Sequence, residues 1–206
     1  MPRTDTIRTK IIDAARRRIG RYGYCKTTMA ELAADCGMSP GNLYRYFPGK
    51  LDIAAEIARN AFDETIAALR AVVRQPQSSA KQRLRDFLFT ELHVTYEQLH
   101  HDEKIHDVAE IIKQERPEAA NENLARSRSL LVEILSMGNA SGELDVPNVV
   151  DTAEMIQCAT MKFRYPQLFS QLPLDALERE LDGVIELLLR GIAGKQPAQT
   201  RSQVSA

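Results

Sequence analysis

The sequence predicts an all-α fold of about nine helices, and three observations predict it. No run alternates apolar and polar residues for long enough to read as a strand. Apolar residues recur at helical spacing along most of the chain, and Pro and Gly concentrate between those runs. The helices divide into an N-terminal three-helix unit of helix-turn-helix type and a larger helical body.

The first helix is expected over 6–22, with Ile7, Ile11, Ala14, Ala15 and Ile19 as its apolar stripe and Arg16, Arg17, Arg18 and Arg21 on or beside the opposite face. Gly23 suits the left-handed position that ends a helix. Short helices follow over 28–36 and 39–47, then a long one over 51–73. The polar segment 75–79 is the first plausible boundary in the body. A fifth helix spans 80–101, with Leu84, Phe87, Leu88, Glu91/Leu92 and Tyr96 at helical spacing. A sixth covers 104–115 and stops before Pro117. The seventh runs over 118–137, ended by Gly138. The eighth, 148–164, is closed by Pro166. The ninth is 174–192, ended by Gly194, and the polar tail 195–206 is expected to be disordered. The domain division is therefore 1–50, linked by the helix 51–73, then 51–194, then the tail.

Bulk properties exclude several classes. Of 206 residues 44% are hydrophobic, with no Trp, and no stretch approaches the roughly 18 consecutive apolar residues of a membrane helix. The polar start carries no secretory signal. Three scattered cysteines, Cys25, Cys36 and Cys158, form neither a disulfide framework nor a metal-binding pair, which fits a reducing cytoplasm. Net charge is −1, yet residues 1–50 hold ten Lys/Arg against four Asp/Glu, and the remainder 17 against 24. A basic head on an acidic body is the footprint expected of a phosphate-binding surface, although a solvated helix face would look the same.

The stretch 27–50 carries the function. Thr28 and Glu31 fit a capping box. Met29, Leu32 and Ala33 form a buried face, and Gly37 permits the positive φ that turns the chain. Met38 pins the turn to the core. Ser39 caps the next helix, with Pro40 at its first position. The outward side of that third helix presents Gly41, Asn42, Tyr44, Arg45 and Tyr46, hydrogen-bonding tips with few long aliphatic groups, while Leu43 and Phe47 point inward. A recognition helix needs this arrangement, because it must reach base edges and grip phosphate. Lys50, at the start of the next helix, is placed to reach the DNA backbone.

Residues 7–60 resemble the DNA-binding domain of the tetracycline-repressor (TetR/AcrR) family. The resemblance is carried by Ile11-Ile12-Asp13-Ala14-Ala15, Gly23-Tyr24, Thr27-Thr28-Met29, Leu32-Ala33, Gly37-Met38-Ser39 and Leu43-Tyr44-x-Tyr46-Phe47-x-x-Lys50, and length and helix count match as well. One departure is Gly49, where the family often has Ser as a cap; Gly is acceptable there, and Asp52 near the helix start compensates in part. The resemblance implies DNA contacts from Thr28, Ser39, Gly41, Tyr44, Arg45, Tyr46 and Lys50. It further implies a homodimer, a C-terminal domain for effector binding and dimerisation, and a repressor released from a palindromic double-stranded operator by a small apolar or amphipathic molecule. No cofactor is required.

The body is less specific. The last helix has a stripe from Leu174 to Ile192 wider than one buried face needs. By resemblance the last two helices pair with their two-fold mates, which nominates Ile156, Phe163, Leu181, Ile185 and Leu188 for the dimer interface; simple core burial fits the same stripe. A ligand pocket among the fourth, fifth, seventh and eighth helices has Phe62, Phe89, His93, Tyr96, Met137, Met155, Cys158 and Met161 as apolar and soft candidates, residues that also serve as ordinary core. His93, Glu97 and His100 share a helical face at i, i+4, i+7, and His106 and Glu110 repeat the i, i+4 spacing. These could hold a divalent metal or be a hydrated helix end. An enzyme using the His/Glu cluster is a second class of function, but no GxSxG, Walker loop, dinucleotide fingerprint or HExxH is present. An architectural DNA-binding protein without effector is a third, and it would not need so large a body.

Overall fold

The computed structural model describes the backbone of residues 2–100, 105–166 and 172–193 and the side chains of 6–98, 108–119, 121–166 and 172–193. Among these residues the chain forms ten helices and no strand: α1 (Pro2–Tyr22), α2 (Met29–Asp35), α3 (Pro40–Tyr44), α4 (Lys50–Val73), α5 (Ala80–His100), α6 (Ile105–Glu115), α7 (Pro117–Ser141), α8 (Val149–Ala159), α9 (Met161–Arg164) and α10 (Leu174–Ile192).

Two hydrophobic cores organise them. The first joins Ile11, Ala15 and Ile19 of α1, Leu32 and Ala33 of α2, Leu43 and Phe47 around α3, and Ile53, Ala54 and Ile57 of α4. Val108 and Ile112 of α6 close it from the body side. The second is built from Ile66, Leu69, Val72 and Val73 of α4 with the apolar faces of α5, α7, α8 and α10. Each fully buried large side chain contributes about 1.5–3 kcal/mol by leaving water. Since α4 supplies both cores, the head continues to Ile57 and the division falls inside α4, not at residue 50. The expected tail over 195–206 lies outside the described residues.

Two elements differ from expectation for identifiable reasons. Gly138 does not end α7; the helix continues to Ser141 and stops at Gly142, which adopts φ 74° as its left-handed cap. Gly138 is instead a point of close approach, since a Cβ there would lie 2.4 Å from Leu144 Cδ1. The single helix expected over 148–164 breaks at Thr160, whose side chain turns back to donate to the Ile156 carbonyl at 2.8 Å.

Residues 144–146 tie the ends of the body together. Asp145 N–H donates to Ile192 O at 2.9 Å, and Asn139 clasps Val146 through both its backbone groups at 2.8 and 3.0 Å.

A helix-turn-helix face and a cavity behind it

The head is assembled as its sequence dictates. Thr28 caps α2 by accepting from Glu31 N–H at 3.3 Å, and its own N–H donates to Glu31 Oε2 at 2.9 Å, completing the capping box. Gly37 takes φ 68° in the turn to α3, and Gly23 takes φ 87° after α1. Ser39 caps α3 by accepting from Asn42 N–H at 3.3 Å, with Pro40 next. Arg18 of α1 binds Asp35 and reaches Glu31 at 3.1 Å, locking α1 to α2. The Arg18 guanidinium holds the Asp35 carboxyl below its ordinary range, and the Thr28 hydroxyl does the same for Glu31.

This scaffold leaves Thr28, Ser39, Gly41, Tyr44 and Arg45 exposed on one side of the turn and α3. Tyr44 is 52% exposed, an unusual placement for a large aromatic, while Leu43 and Phe47 on the opposite side are buried. Asn42 and Tyr46 are half-buried, and Arg8 stacks 4.2 Å over the Phe47 ring while donating to Tyr46 O at 2.7 Å. Lys50 differs from expectation. Its Nζ donates to Tyr24 O at 2.8 Å and lies 4.1 Å over the Tyr24 ring, so it ties the start of α4 to the loop after α1 instead of pointing freely outward.

Behind the head lies a cavity of about 390 Å³. Its apolar wall is Ile57, Ala58, Ala61, Phe62, Ile66 and Leu69 of α4 with Val108 and Ala109 of α6; α5 adds Glu91, Thr95 and Gln98, and α7 adds Asn123 and Ser127. Arg164 and Tyr165 close the far side, and Arg16 and Arg17 of α1 close the side of the head. The deep polar element is a buried cluster in which Arg164 donates to Glu91 Oε1 at 2.5 Å and to Ser127 Oγ at 2.9 Å, with both charged side chains under 8% exposed. Burial pushes the neighbouring Tyr165 hydroxyl above its ordinary pKa.

Of the residues nominated for a pocket, Phe62 lines this cavity. Phe89, His93, Tyr96, Met137, Met155, Cys158 and Met161 do not. On α5 the reason is helical phase: Phe89, His93 and Tyr96 and the cavity-lining Glu91, Thr95 and Gln98 share the spacing i, i+4, i+7, but the two sets are displaced by two residues and lie on opposite faces. Phe89 and Tyr96 pack on the second core. His93 Nε2 is 2.6 Å from Glu178 of α10. Met137 packs against the second core, Met155 is 59% exposed and Cys158 is exposed. The cavity lies one layer closer to the head than expected, using α6 in place of α8. Arg16, Arg17, Glu91 and Arg164 do not read as cavity residues in the sequence, because charged residues on an amphipathic helix read as solvated.

Of the proposed metal set, His93 is engaged with Glu178 and Glu97 is exposed, while His100 and His106 lie outside the described side chains. Among the described residues no group of three or more His, Cys, Asp or Glu could hold a metal. The nominated interface residues also change role. Ile156, Phe163, Leu181 and Ile185 are buried in the protomer's own core, at 5% exposure or less, and Leu188 packs at its edge. The outward apolar residues of α8 and α10 are instead Val150, Met155 and Leu187.

A helix-turn-helix whose second helix faces solvent with polar tips, carried on a helical body enclosing a cavity, defines a DNA-binding transcriptional regulator. The chain belongs to the TetR family of bacterial regulatory proteins: residues 11–57 match the family model of that description, and residues 80–185 match the tetracyclin repressor-like C-terminal domain. The HTH-type transcriptional regulator BetI of Brucella canis is 35% identical over 68 residues, which is 33% of this chain and 34% of BetI, so the match spans about a third of that relative. A TetR/AcrR-family regulator from Thermobifida fusca superposes with a TM-score of 0.70 at 22% identity, covering 89% of this chain and 97% of its own. The SmeT–triclosan complex superposes with a TM-score of 0.64 at 17% identity, covering 98% and 100%. SmeT is the repressor of the Stenotrophomonas maltophilia multidrug efflux pump SmeDEF. These matched proteins are regulators, not enzymes. Among the described residues no helix is long and apolar enough to cross a membrane.

Proposed function

We propose that the protein is a homodimeric repressor that binds a palindromic operator and leaves it when a small apolar or amphipathic molecule occupies the cavity behind the head. One observation carries this reading: the cavity is walled at once by α1 and α4, which build the head, and by α5, α6 and α7 of the body. A molecule there touches both units, so its contacts change if the head turns against the body. That differential contact is the requirement for a ligand to shift an equilibrium. The size fits a small molecule, in the range of about 300–1,000 Å³ for ligand sites. The SmeT–triclosan complex is consistent with a cavity of this kind accepting an apolar aromatic compound.

DNA contact is assigned to Thr28, Ser39, Gly41, Asn42, Tyr44, Arg45 and Tyr46, with Lys50 acting through its hold on Tyr24. Two such heads about one DNA turn apart, roughly 34–36 Å, would read the two halves of the operator. Dimerisation is assigned to the outward residues of α8 and α10, Val150, Met155 and Leu187, in place of the buried set.

The experiment is a mobility-shift assay on the DNA flanking the protein's own gene, with apolar compounds titrated as releasing agents against the parent protein and Ala61→Phe, which fills the cavity wall. A compound should release the parent, and Ala61→Phe should stay bound at the same concentration. Equal release of both proteins would show that the cavity is not the effector site.

A further inference from the structure

Among the described residues only two buried side-chain polar atoms lack a hydrogen-bond partner, and both are guanidinium nitrogens: Nε of Arg16 and Nε of Arg164. Both residues line the same cavity. Buried polar groups are nearly always satisfied, so two orphan donors in one cavity point to acceptors brought by a ligand. The two are not equivalent. The Arg164 charge is matched by Glu91, and its Nη2 donates to both Glu91 and Ser127. Its Nε asks at most for a neutral acceptor. Arg16 has no ion-pair partner among the described residues, and Arg17 stands beside it on the cavity wall. Among the described residues the cavity therefore carries three guanidinium groups against the two carboxylates of Glu64 and Glu91. Between the two poles the wall of Ile57, Ala58, Ala61, Phe62, Ile66 and Leu69 is apolar.

We propose that the effector is an apolar monocarboxylic acid whose carboxylate is held by Arg16 and whose hydrocarbon body lies along α4. The proposal rests on the reading of the cavity as the effector site and adds the chemical class it selects. A guanidinium matches a carboxylate in a two-point, charge-assisted fork. Partial enclosure beside an apolar wall strengthens that pair relative to water. The same skeleton with a neutral hydroxyl offers one acceptor but neither the charge nor the second point of the fork, and a cationic end is repelled. Arg16 belongs to the head, so the carboxylate ties the ligand to the DNA-binding unit directly.

The test is calorimetric titration of the full chain with decanoate, decanol and decyltrimethylammonium, repeated on Arg16→Gln, Arg16→Lys and Ala61→Phe. Decanoate should bind the parent at least about tenfold more tightly than decanol, as expected for a hydrogen bond to a charged group, and the cation should bind most weakly. Arg16→Gln should bring decanoate down to the level of decanol while leaving decanol unchanged, and Arg16→Lys, which keeps the charge and loses the fork, should fall between. Equal binding of decanoate and decanol by the parent, or a preference that survives Arg16→Gln, would overturn the assignment. Ala61→Phe separates the two claims. If it abolishes both probes while the preference is missing, the cavity stands and the acid does not. If it leaves both probes bound, the cavity reading itself has failed.

Discussion

Arg164 and Glu91 place a full ion pair inside the body, with Ser127 completing the cluster. Such a pair is poor evidence of net stabilisation, because desolvating two charges offsets most of their attraction. Removing one partner is different, since it strands the other charge. Arg164→Met is therefore expected to lower unfolding stability by about 3–5 kcal/mol, read from denaturant melts, and Glu91→Leu in the same chain should recover a large part of it. A single variant as stable as the parent would show that the pair is solvated and not part of the packed body. The cluster joins α5, α7 and α9, so it also sets the far end of the cavity. None of this was legible in the sequence. Glu91 was visible only as a polar residue inside an apolar stripe, and nothing local marks Arg164 as its partner 73 positions away.

At the scale of elements, legibility followed how local each determinant is. The caps at Thr28 and Ser39, the turns at Gly23 and Gly37 and the inward Leu43 and Phe47 depend on neighbours within four residues, and all stand as expected. Gly138 reads from the sequence as a helix end, but its reason is Leu144 packing against it, not backbone freedom. Helix phase was the larger failure. On α5 two stripes of equal spacing face different partners, and on α8 and α10 the residues nominated for an interface are those that fill the protomer. What remains outside on these last two elements is apolar, with Leu187 69% exposed and Met155 59% exposed. Leu187→Glu is expected to convert the dimer to monomer at micromolar concentration without loss of helicity, measured by sedimentation equilibrium. An unchanged dimer would move the interface elsewhere.

At the scale of the whole molecule, α4 connects the two functions. Its first half closes the head core with Ile53, Ala54 and Ile57, its middle walls the cavity, and its second half enters the body core from Ile66. On the proposed function, a displacement at Phe62 or Ala61 would reach the frame that holds α3 through this shared helix. Coupling of this kind is reciprocal, so operator DNA must weaken effector binding by the factor by which effector weakens DNA binding.

The exposed side of α3 is assigned to reading DNA. This role is tested most directly by fluorescence anisotropy of labelled DNA flanking the protein's gene, titrated at fixed salt with the parent, Tyr44→Ala and Arg45→Ala. Each variant should keep its fold and its dimer and bind at least about tenfold more weakly, as loss of a specific or phosphate contact costs about 1–3 kcal/mol. Binding by both variants equal to that of the parent would contradict the account.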